Sequence, residues 1–198
     1  MNIAKDRLYS DAKTSHERRS AQTALCNCLE VMVRILSPIL SFTCEEVWSY
    51  YKVDEVSSVQ LAGWPELSDF VPSTDEAKMT EALEEYSKLF EIRDAYTRAL
   101  EEQVVAGKFK KSQETGANIS LPDSFKPLID SLGQNTIEEL FVCSDSQIEF
   151  GADEVKVEIV PAKGEKCPRC WNYRDLNEHG VCERCEKVLS DLNFNFDE

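Results

Sequence analysis

Between Asp6 and Tyr51 the apolar positions Ala21, Leu25, Cys28, Leu29, Met32, Ile35 and Leu36 recur at three- and four-residue spacing, which predicts helix with one buried stripe. Pro38 disfavours a helical Ser37 and should end or kink that helix. Thr43-Cys44-Glu45-Glu46 has capping-box spacing, with Thr43 as N-cap and Glu46 reaching back, and the helix behind it would turn Val47, Trp48 and Tyr51 inward. The connection 52–72 is long for a simple loop, so it is expected to pack on its own Leu61, Trp64 and Leu67. Ser73-x-x-Glu76 offers a second capping box. Behind it Met79, Leu83, Tyr86, Phe90, Ala95 (or Tyr96), Ala99 and Leu100 mark a helix of about 30 residues, ended by Gly107.

After Gly107 the pattern changes. Lys108-Phe109-Lys110-Lys111 reads as a small basic turn, Asn118–Leu121 as a short strand and Phe125–Leu132 as a short helix closed by Gly133. Glu139–Val142 and Gln147–Phe150 read as strands, and Val155–Val160 alternates most cleanly of all. The expected fold is mainly α: a helical bundle over 1–107, a small α/β unit over 108–162 and a four-cysteine zinc knuckle in a module spanning 163–198.

Composition narrows the function. With 198 residues, 42% of them hydrophobic and 30% charged, the chain can bury a core. No apolar run approaches the length of a membrane span, and the first residues lack the apolar stretch of a secretory leader, so a cytoplasmic location away from membranes is expected. The net charge of −15 argues against non-specific nucleic-acid binding, but the charge is uneven. Residues 1–40 carry six basic and four acidic side chains, net +2, whereas 41–150 carry nine and 22, net −13. Any nucleic-acid contact should therefore lie at the two ends of the chain.

The strongest chemical signal is Cys167-Pro168-Arg169-Cys170, an 11-residue spacer, and Cys182-Glu183-Arg184-Cys185. Two C-x-x-C knuckles supply four thiolates, the set that zinc binds tetrahedrally, and so short a segment needs a metal to fold. Cys167, Cys170, Cys182 and Cys185 are thus the expected ligands of one structural Zn2+, with no coordination position left open for catalysis. Four unrelated buried thiols and a redox pair are the alternatives. His179, between the knuckles, reads as a solvent-facing residue.

Around the first knuckle Arg169, Trp171, Asn172, Tyr173 and Arg174 interleave cations with aromatics, the composition of a surface that stacks on bases and grips phosphates. Trp171 could equally pack over the knuckle as its miniature core. Arg18 and Arg19 are candidate phosphate contacts; a pair of solvated charges is the plainer reading. Capping accounts for Glu46, so Glu45-Glu46 is not read as a catalytic pair. No phosphate-loop, dinucleotide-binding or nucleophile-elbow motif occurs, and no active site is found.

Lys5-Asp6-Arg7-Leu8-Tyr9, Arg18-Arg19-Ser20-Ala21-Gln22-Thr23, Pro38-Ile39-Leu40, Thr43-Cys44-Glu45-Glu46-Val47-Trp48 and Gly63-Trp64-Pro65, in that order, resemble the anticodon-binding domain of class I isoleucyl-tRNA synthetases. Ala162–Tyr173 resembles the zinc module that ends bacterial-type members. Where the family usually has His-Thr before Glu-Glu-Val-Trp, this chain has Phe42-Thr43, and Lys108–Gly116 matches the family poorly. The resemblance implies a C-terminal fragment, without the catalytic, adenylate-site and editing portions, and not catalytic alone. It further implies that the bundle binds the anticodon stem-loop of isoleucine tRNA as a monomer, beside the missing catalytic domain of the same enzyme. ATP-dependent aminoacylation would belong to that full-length ligase. Arg169 and Trp171 would contact the anticodon loop, with Arg18, Arg19 and Arg174 as further tRNA contacts. Two rival readings are a zinc-stapled protein-interaction module and, with less support, a DNA-glycosylase-type zinc module; the latter needs an N-terminal catalytic proline, and this chain begins Met1-Asn2.

Overall fold

A computed structural model describes residues 4–51, 56–70, 76–132 and 134–194. Among them run α1 (Lys5–Ser10), α2 (His16–Leu36), α3 (Ser41–Tyr51), α4 (Glu76–Val105), β1 (Thr115–Leu121), α5 (Lys126–Leu132), α6 (Gln134–Phe141), β2 (Asp145–Phe150), β3 (Lys156–Pro161), β4 (Glu165–Lys166), β5 (Tyr173–Arg174) and α7 (Glu183–Asp191). The chain forms two compact units, one of residues 16–79 and one joining 1–15 to 80–198. These limits differ from the expected segment boundaries: α4 continues from one unit into the other.

In the unit of residues 16–79, α2 ends at Leu36, as Pro38 requires. The chain turns at once into α3, with the Ile39 and Leu40 amides donating to the Leu36 carbonyl. Thr43 therefore lies inside α3 and is not its N-cap; the Cys44 amide already bonds the Leu40 carbonyl, and Ser41 Oγ donates to the Ser37 carbonyl at 3.0 Å. Val33, Cys44, Trp48 and Val59 form the core, with Leu36, Val47, Tyr51, Val56 and Ala62 packed against it. Of the expected α2 stripe, Ala21, Leu25 and Leu36 are half-buried, while Cys28, Leu29, Met32 and Ile35 are exposed, because the cover supplied by α3 and the Val59–Leu61 turn falls over Val33.

Leu61, Trp64 and Leu67 do not pack the connection; all three are exposed. Arg34 holds it instead. Its guanidinium donates to the carbonyls of Ala62 (3.0 Å), Gly63 (3.1 Å) and Trp64 (2.9 Å), and it pairs with Asp69 (3.1 Å) and Glu30 (3.4 Å). One planar fork with five donors can satisfy a loop whose backbone has no ladder partner. Ser73 and Gly133, the expected cap and stop, lie outside the described residues.

In the other unit, β1 is central in a three-stranded sheet of order β2-β1-β3, parallel to β2 and antiparallel to β3. Helix α4 packs here through Leu89, Ile92 and Tyr96, together with Ala117, Ile119 and Leu121 of β1 and Ile137 and Phe141. Of the expected stripe, Tyr96 and Leu100 do face this core, whereas Leu83, Tyr86 and Phe90 are exposed and Leu89 and Ile92 are packed instead. Gly107, at φ +73°, closes α4, with its own amide bonded to Val104 and the Lys108 amide to Gln103. The segment 139–142, expected as a strand, is the end of helix α6. Ile137, Leu140 and Phe141 recur at helical spacing, and Ile137 and Phe141 are buried. The helix closes on Val142 at φ 58°, with Val142 bonded to Glu139 and Cys143 to Glu138.

Candidate functional site

The four knuckle cysteines are gathered by short, tightly turned elements. β4 and β5 pair antiparallel, Lys166 facing Tyr173, and between them the Cys167 amide bonds the Asn172 carbonyl while the Trp171 amide bonds the Cys167 carbonyl at 2.8 Å. This turn leaves Trp171 at φ 68°. Gly164 sits at φ +82°, where a Cβ would lie 2.5 Å from the Arg174 carbonyl carbon, so only glycine lets the two strands approach. The second knuckle opens α7: Cys182 is its N-cap residue and Cys185 lies in its first turn. Val181, Leu176 and Leu189 pack against the thiols.

All four cysteines are buried, and their sulfur atoms lie within 4.8 Å of one another. A tetrahedron with metal–sulfur bonds of about 2.3 Å has sulfur–sulfur edges of about 3.8 Å, and Cys170 Sγ stands 3.8 Å from Cys182 Sγ. A hydrogen bond from the Cys185 thiol pulls the Cys170 thiol down from its ordinary value. The donor set fits a single closed, tetrahedral, thiophilic cation.

Both knuckle arginines turn toward the N-terminal segment. Arg169 Nη1 donates to the Ser10 carbonyl at 2.7 Å and contacts Cys185 Sγ at 3.4 Å. Arg184 grips Asp6 with two bonds, 2.6 and 2.8 Å, and reaches Asp11 at 3.4 Å. Burial alone would raise the Asp6 carboxyl, but Arg184 outweighs it and holds that carboxyl below the usual range. Arg174 pairs with Glu138 of α6 at 3.0 Å, and the Tyr173 amide donates to Ser144 Oγ at 2.8 Å, which ties the module to the sheet unit.

Trp171 is 57% exposed, with Lys166 Nζ 5.6 Å from its ring centroid. It is therefore not the miniature core of the knuckle; the apolar residues around the thiols fill that role. Arg18 and Arg19 stand in the first turn of α2, Arg18 half-buried and Arg19 exposed, in the unit of residues 16–79. His179 lies 3.7 Å from Glu178 and 3.8 Å from Glu186, apart from the four-thiol group. Sequence reasoning missed Asp6, Asp11 and Ser10 as partners of the module. Their only signal was charge complementarity across more than 150 residues of chain.

The family described as the anticodon-binding domain of tRNA ligase matches residues 1–119. The chain belongs to that family. Relatives also align over the knuckles. Isoleucine–tRNA ligase of Symbiobacterium thermophilum is 35% identical over 98% of this chain and 22% of its own length. The enzyme of the same name from Staphylococcus carnosus is 36% identical over 97% and 21%, and that of a Sulfurihydrogenibium species 34% identical over 100% and 22%. This anticodon-binding chain thus spans about a fifth of the length of the relatives it matches. Among its described residues no helix is long and apolar enough to cross a membrane.

Proposed function

We propose that this chain is the anticodon-reading part of an isoleucine–tRNA ligase, with residues 1–107 as the helical anticodon-binding domain, 108–162 as a small connecting unit and 163–198 as a zinc module that touches the anticodon loop. ATP-dependent attachment of isoleucine belongs, in this reading, to the remainder of the longer ligase. Zinc sits on Cys167, Cys170, Cys182 and Cys185 as a structural ion. It supplies folding energy to a segment with too little apolar core to close alone.

The observation that carries the reading is the state of Trp171. A bulky residue in the left-handed backbone region costs about 1–2 kcal/mol relative to glycine, and an indole left more than half exposed recovers little of it by burial. Such a residue suits a partner with flat faces, and an unstacked base is one. Lys166 beside the ring adds a cation for the neighbouring phosphate. Arg18 and Arg19 serve as backbone contacts, since phosphate neutralisation needs only reachable charge. Arg169 and Arg174, already bonded to Ser10 and Glu138, act chiefly by holding the knuckle that presents Trp171.

The test is Trp171→Gly in the zinc-loaded chain. Binding to isoleucine tRNA should weaken by about fivefold or more, as loss of one base–aromatic stack of 1–3 kcal/mol requires. The same change should leave the melting temperature unchanged or raise it. A variant that binds tRNA as tightly as the parent contradicts the stacking role; one that loses stability as well returns Trp171 to a packing role.

A further inference from the structure

The two knuckles share a feature that zinc binding does not require. The third residue of each is arginine, and both arginines leave the metal centre to hold one stretch of chain, Asp6–Asp11. Arg184 takes Asp6 bidentately and reaches Asp11, whereas Arg169 takes the Ser10 carbonyl and lies against the sulfur of Cys185. Ser10, the residue grasped by its backbone, is itself buried. Helix α1 is only six residues long, too short to persist on its own. Arg7 also ties α1 to Glu139 of α6, at 2.6 Å from Nε.

We propose that Arg169 and Arg184 form a metal-dependent clasp for residues 6–11, so that zinc bound by four cysteines at the far end of the chain orders its N-terminal helix. The inference rests on the zinc reading of the four-thiol site. The reasoning is geometric. Both arginines sit inside the C-x-x-C turns, and the spacing of their guanidinium groups is fixed only while the two turns are held together. Asp6 and Ser10 lie one helical turn apart on α1, so they need both arginines at one separation. A tetrathiolate around a divalent cation carries a net charge of −2, and Arg169, with Nη1 3.4 Å from Cys185 Sγ, offsets part of it from the same position in which it holds Ser10. Arg184 Nε is buried with no hydrogen-bond partner among the described residues.

Linkage makes the proposal quantitative. If the segment docks only on the metal-loaded module, undocking it must weaken zinc by the factor that zinc strengthens docking. The experiment uses the full chain, with zinc content measured by a chromophoric chelator and docking measured by tryptic cleavage after Arg7. Removing zinc should speed that cleavage by about tenfold or more, while hydrogen exchange in β1 stays slow. Asp6→Asn should keep one zinc per chain, speed the cleavage likewise and weaken zinc by a matching factor. Stripped protein whose Arg7 site stays protected overturns the clasp, as does Asp6→Asn with unchanged cleavage. A loaded chain that holds no stoichiometric zinc overturns the metal reading itself, and the metal dependence with it.

Discussion

The eight cysteines sit in three environments, and each sets a different reactivity. Cys26 and Cys28 are exposed on α2; Cys44 and Cys143 are buried in the two hydrophobic cores; the remaining four surround the candidate metal. Burial pushes the Cys143 thiol up to about 12, so it stays protonated and inert at neutral pH. In the zinc-loaded chain, alkylation at pH 8 should label two cysteines quickly and spare six; removing zinc should bring the fast set to six. Fast labelling of all four knuckle thiols in the presence of zinc would exclude them as ligands. The clustering of the four thiols was legible in the sequence because a C-x-x-C pair encodes its geometry within four residues. Arg34 was not. Its five contacts reach residues 4 to 35 positions away, and nothing in a lone arginine among apolar neighbours says that it satisfies a loop.

At the scale of elements, α4 shows how a periodic pattern can be right at one end of a helix, at Tyr96 and Leu100, and name the wrong positions earlier in it. Leu83, Tyr86 and Phe90 and also Leu89, Ile92 and Tyr96 both satisfy helical spacing, and only the sheet decides between them. Ile92 is fully buried and Phe90 half exposed, so Ile92→Ala should cost about 2–5 kcal/mol and Phe90→Ala less than about 1 kcal/mol in urea unfolding. Equal costs would mean that Phe90 is packed too. Helix α6 was illegible for another reason. It stops at Val142 in the left-handed region, a closure usually written with glycine, so the sequence carries no stop signal and its last turn looks like a short apolar strand. Strand β3 was readable because its alternation has one meaning at that length, whereas α3 begins earlier than a cap at Thr43 would allow because the chain turns into it directly from α2, with the Leu40 amide on Leu36 and the Cys44 amide on Leu40.

For the whole molecule, the net charge of −15 and the proposed tRNA partner are reconciled by distribution, since residues 41–150 are net −13 while residues 1–40 are net +2 and 161–190 net +1. The order of motifs along the chain was what made the family legible; the docking of α1 on the knuckles was not, because it joins residues separated by as many as 178 positions. The central claim is that this chain reads an anticodon, and one titration tests it most directly. The zinc-loaded chain is titrated with isoleucine tRNA and with the same tRNA carrying a changed anticodon, at low and at physiological salt. Binding should be tighter to the unchanged tRNA at both salts, with affinity for each falling as salt rises because phosphate contacts release counterions. Equal affinity for the two tRNAs, or no binding at low salt, would contradict that claim.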